Sequence, residues 1–92
     1  MTARDVLINT RGLIVEHGWV QGTFGSEGEG FCVLGAFRAQ THQVTWRLRV
    51  RAVQALEDAT GTIDLPGWND DTPGRTQQEV LAAFDRAIEK AG

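Results

Sequence analysis

The sequence predicts an all-α fold, a compact four-helix orthogonal bundle with one long Trp-anchored loop. Three observations lead there. Thr2/Asp5, Ser26/Glu29 and Thr76/Glu79 repeat the spacing of a helix-capping pair at three points along the chain. Apolar residues recur at helical spacing behind the first and last of these pairs. The one segment with strand-like alternation has no adequate partner, because an isolated two-stranded ribbon is marginal in water. With 92 residues the chain can build one core and not a second, so residues 1–92 are read as a single domain.

The first helix opens on Thr2 and carries Val6, Leu7, Leu13 and Ile14 up to His17. Gly18 ends it, with Trp19 placed to fold back on Ile14 as in a Schellman ending. Residues 22–30 hold four glycines and read as a flexible connection. Ser26 and Glu29 then cap a run, Phe31-Cys32-Val33-Leu34-Gly35-Ala36-Phe37, that is apolar on every side and belongs at the centre of the molecule.

Residues 44–51 alternate apolar and polar with period two, yet run on into Ala52-Val53-Gln54-Ala55-Leu56. On a helical wheel Val44, Leu48, Ala52, Ala55, Leu56 and Ala59 form one face, so a helix is expected. The alternative is an α+β fold with a small ribbon pairing 44–50 with 62–65. Thr60-Gly61 closes this element, and a connection of about 15 residues follows, longer than usual in a compact domain. The last helix is capped by Thr76 and Glu79, with Val80, Leu81, Phe84, Ala87, Ile88 and Ala91 in one stripe.

Charge and cysteine content narrow the function classes. A single Cys32 excludes an intrachain disulfide, no Cys/His spacing suits zinc, and no apolar run reaches the length of a membrane span, so a cytoplasmic protein is expected. Net charge is −3, but residues 38–51 carry Arg38, Arg47, Arg49, Arg51 and His42 without an acid, whereas 57–71 carry Glu57, Asp58, Asp64, Asp70 and Asp71 without a base. Eight of the nine basic residues are Arg, a bias associated with GC-rich genomes.

Cys32 near a helix N-terminus, with His17 or His42 as base, is the one nucleophilic arrangement available. Its apolar surroundings favour an inert thiol, and no catalytic residue is assigned. Asp64, Asp70 and Asp71 lack the ligand alternation of a calcium loop, so no metal and no cofactor is expected. Trp68 reads as a plug fastening the long loop, with Asn69 and Asp70 satisfying buried amides. Arg38, Arg47, Arg49 and Arg51, with Trp46 or Trp19 for stacking, are the candidates for nucleic acid. On a helix Arg49 points away from Arg47 and Arg51, which disperses that patch.

Gly18-Trp19, Phe31-Cys32-x-x-Gly35-Ala36, and Trp68-Asn69-Asp70 followed by Arg75-Thr76-x-x-Glu79-Val80-x-x-x-Phe84-Asp85-x-Ala87 together resemble a family of small uncharacterised all-helical proteins of actinobacteria and their phages. The resemblance spans most of the chain and departs from the family in the alternating 47–51 stretch. It implies a helical fold and a bacterial or phage cytoplasm, and no activity. The expectation is a non-enzymatic protein-binding or regulatory module that docks to a bacterial host protein or to its own copy. Arg47, Arg51, Trp68, Asn69 and Asp70 are the candidate contact residues. Nucleic-acid binding through the four arginines is the alternative, and neither a membrane nor a small-molecule substrate is expected.

Overall fold

Three fifteen-residue helices build the core in the computed structural model, which describes residues 1–40, 44–71 and 74–91. They are α1 (Ala3–His17), α3 (Trp46–Thr60) and α5 (Gln77–Ala91), each packed on the other two. Two shorter helices, α2 (Val33–Arg38) and α4 (Leu65–Asn69), and a ribbon of β1 (Gly25–Ser26) with β2 (Gly30–Phe31) form a second tier against α1. Among the described residues no helix is long and apolar enough to cross a membrane.

The helical class holds, with five helices among the described residues where four are expected. The additional one is α4, inside the stretch read as a loop. Asp64 accepts from the Gly67 amide as N-cap and Pro66 sits in the first turn, where its missing N–H costs nothing. Residues 46–60 are helix, not strand, capped by Thr45 and ended by Gly61 in the left-handed region at φ +77°. The ribbon pairing 44–50 with 62–65 therefore does not form.

The glycine-rich segment is ordered pairing rather than a loose connection. β1 and β2 run antiparallel, Gly25 opposite Phe31 and Ser26 opposite Gly30. Ser26 and Glu29 close the intervening turn through Ser26 Oγ–Glu29 Oε1 (3.2 Å) and the Glu29 amide to the Ser26 carbonyl (3.1 Å). They do not open α2, which starts two residues after the ribbon with Cys32 as its N-cap. Trp19 pairs with Phe31 as a parallel bridge on the other side, the Phe31 amide donating to Gly18 O at 2.9 Å. Gly18 ends α1 with one bond to the Ile14 carbonyl, at φ +96° and ψ 172°, so its ending is extended and not a Schellman turn.

The core follows the predicted stripes: Val6, Leu7 and Ile14 from α1, Ala52 and Leu56 from α3, and Val80, Ala83, Phe84 and Ala87 from α5. The Phe31–Phe37 run is buried throughout except Leu34, which is partly exposed. Phe37 and Phe84 meet at 5.9 Å between ring centroids, joining the tiers. Gly35 has no room for a side chain, since a methyl group there would overlap the Phe24 carbonyl.

Candidate functional site

The candidate residues fall on two elements that share no extensive contact: Trp68, Asn69 and Asp70 on and beside α4, Arg47 and Arg51 on α3. At the first, Asn69 is only 1% exposed. Its Oδ1 accepts from the Trp19 indole Nε1 (2.7 Å) and from the amide of Val33 (3.1 Å). The second is the opening amide of α2, which has no partner inside its own helix. Asn69 Nδ2 donates to the Val20 carbonyl (3.1 Å) and to Asp70 Oδ1 (2.9 Å). Gln21 donates to the Asn69 carbonyl (3.0 Å), and Asp70 Oδ1 also receives the Gly22 amide (2.8 Å).

Trp68, half-buried against the core, lies beneath the Arg75 guanidinium at 4.0 Å from the ring centroid. Arg75 Nε donates to the Trp68 carbonyl (2.8 Å) while its other nitrogens meet Glu79 (2.8 Å) and Asp71 (3.5 Å). Trp68, Asn69, Asp70 and Arg75 thus lock α4 between the ribbon and the start of α5. The sequence reading of Trp68 as a plug and of Asn69 and Asp70 as amide partners holds. Asn69 has no surface left with which to touch a partner.

At the second, Arg47 and Arg51 share the outer side of α3, both exposed, while Arg49 points toward α2. Among the described residues none of the three makes an ion pair or a side-chain hydrogen bond. Arg11 is different, with Nε 2.8 Å from Asp85 Oδ1, though the alignment there is poor for a hydrogen bond. Arg38 lies against the Phe24 ring at 4.4 Å. His42 lies outside the described residues.

The residues beside these arginines were not singled out as protein contacts. Trp46 is 66% exposed and Val50 41% exposed. With Val53 they form an i, i+4, i+7 row, in which Val50 and Val53 line a groove of about 330 Å³ whose other wall is Leu34, Phe37 and Arg38 of α2. The signal for this face was present as the period-two alternation of 44–51. Wound at 3.6 residues per turn, that pattern sends Leu48 and Ala52 to the core and leaves Trp46 and Val50 outside.

Among the described residues a nucleophilic centre is not assembled. Cys32 is 6% exposed and its Sγ accepts from the Gly35 amide at 3.2 Å as the cap of α2. His17 turns elsewhere, its Nδ1 3.1 Å from the Glu27 carbonyl and its ring edge-on to Phe31. Among the described residues no group of three or more His, Cys, Asp or Glu is placed to hold a metal ion.

The family described as of unknown function, DUF6197, matches residues 1–90. The chain belongs to DUF6197. That match places nearly every residue discussed above within the family. No curated protein and no solved structure matches the chain.

Proposed function

We propose that this DUF6197 member is a non-enzymatic protein-binding module whose docking face is the outer side of α3. The observation that carries the reading is the exposed Trp46–Val50 row flanked by arginines without acidic partners. Trp and Arg are the residues most enriched where binding energy concentrates, because each brings a large contact area together with a polar handle. A cytoplasmic setting agrees with a lone thiol kept as a helix cap.

Nucleic acid is the weaker occupant. Arg47 and Arg51 share their row with Asp58, and Arg49 lies on the opposite flank of Trp46, so the cations do not converge on one phosphate track. An enzyme of the Cys/His kind would need an accessible thiolate, and Cys32 is buried and bonded.

The test compares wild type with Trp46→Ala as immobilised bait, offered both a bacterial lysate and the chain itself. A protein held by the wild type, its own copy included, and lost by at least tenfold with Trp46→Ala supports the reading. Salt-sensitive retardation of DNA or RNA with no protein retained transfers the face to nucleic acid. Cys32 is expected to resist alkylation until the fold is denatured, and rapid labelling of the native protein would reopen the enzyme reading.

A further inference from the structure

Two adjacent rows on α3 have the same spacing and opposite character. Trp46, Val50, Val53 and Glu57 stand at i, i+4, i+7 and i+11; Arg47, Arg51, Gln54 and Asp58 repeat that spacing one residue later. Read backwards, each row complements itself. In the first, Val50 comes opposite Val53 and Trp46 opposite the stem of Glu57. In the second, Arg47 comes opposite Asp58 and Arg51 opposite Gln54.

The helix also carries its charges against its own dipole. The N-terminal end of a helix favours acids and the C-terminal end bases. α1 has Asp5 in its first turn and His17 in its last, and α5 has Glu79 and Lys90 in the corresponding places. α3 has no acid in its first turn and no base in its last. Arg47 and Arg49 stand at the start, Glu57 and Asp58 near the end. An antiparallel neighbour reverses this disadvantage, because its dipole and its charges both run the other way.

We infer that the docking face proposed above takes a second copy of this chain, two α3 helices packing antiparallel about a two-fold axis with Arg47 of each copy against Asp58 of the other. In such a pair identical surfaces meet, so a self-complementary row is the required property. Same-side rows face each other across antiparallel helices, which brings the arginine-bearing rows together and closes Trp46 and Val50 from water. The inference rests on α3 being the docking face and adds the identity of its occupant.

Sedimentation and light scattering on the intact chain decide it. Wild type is expected at twice its 10.1 kDa mass at high protein concentration, dissociating as salt rises. Arg47→Glu leaves two acids facing each other and Asp58→Arg two bases, so each variant alone is expected to be monomeric. Mixed in equal amounts they are expected to form a heterodimer, since Glu at 47 then meets Arg at 58 and the native pair survives on the other side. Both substitutions suit the helix dipole, so circular dichroism should show each folded. A wild type that stays monomeric up to millimolar concentration, or variants that fail to pair on mixing, overturns the self-pairing. The lysate comparison with Trp46→Ala then still decides whether α3 docks another protein.

Discussion

Asn69 uses its amide to serve two separated pieces of backbone, one indole and the neighbouring Asp70 carboxylate. Replacing it with Leu keeps the branched shape and strands Trp19 Nε1, the Val33 amide and the Val20 carbonyl. Each stranded buried group costs about 1–3 kcal/mol, so a loss of roughly 3 kcal/mol is expected by urea titration followed through tryptophan fluorescence. Asn69→Asp keeps the two bonds at Oδ1 and sets a second carboxylate oxygen against the Val20 carbonyl and Asp70, so it is expected to destabilise in a pH-dependent way that Leu does not. Gly35→Ala forces the Phe24 carbonyl to move and is expected to cost about 3 kcal/mol by the same titration. At the other end of the chain, the Thr2 amide and hydroxyl hold the Asp5 carboxyl below its ordinary 3.8. A lowered folded value means the contribution is complete above the unfolded value and is lost as pH falls through the folded one. The difference in Tm between wild type and Asp5→Asn is therefore expected to be present at neutral pH and to close as pH falls below the ordinary 3.8.

The helices legible in the sequence were those whose start and apolar stripe agree. Thr2 with Asp5 and Thr76 with Glu79 cap α1 and α5 as their spacing indicates. Ser26 with Glu29 has the same spacing and closes a β-turn, because a three-residue reach between hydroxyl and carboxylate fits a tight turn as well as a first helical turn. α4 was announced by Asp64 and Pro66, but five residues including Gly67 leave no periodicity to read. At α3 the alternating pattern was real information about two faces, and its strand-like look came from superposing a core row on an exposed one. The role of Trp68-Asn69-Asp70 was legible only in kind, since the groups they satisfy lie far away in sequence. The charge order of α3 yields its own prediction. In the Arg47→Glu variant, expected to be monomeric, the first turn gains an acid, worth about 0.5 kcal/mol and roughly 3 °C in Tm. Calorimetry should show it unfolding at or above the temperature of a Trp46→Ala monomer that retains Arg47.

The whole molecule divides into a bundle of three long helices and a tier that packs on it through fewer apolar side chains, Phe31, Val33, Phe37 and Leu65 among them, and is knit together by polar ties. α1, α3 and α5 bury most of the aliphatic core, whereas the ribbon and α4 are joined through Asn69, Asp70 and Arg75. Local opening is expected to follow that division, since regions with few apolar contacts open first. In Asn69→Leu, amide exchange at Val20, Phe31 and Cys32 is expected to accelerate well beyond the change in global stability. Amides inside α1 and α5 should follow the global change only.

The tie made by Asn69 also sets an order of events on the ribosome. Its partners Trp19, Val20 and Val33 leave the exit tunnel 50, 49 and 36 residues ahead of it. During that interval the indole and the opening amide of α2 have no protein acceptor and stay hydrated, so the ribbon end cannot reach its final packing while α4 is still being made. Completion of this corner therefore waits until residue 69 has itself left the tunnel. A nascent chain stalled short of that point differs from the finished one in a way a protease can read.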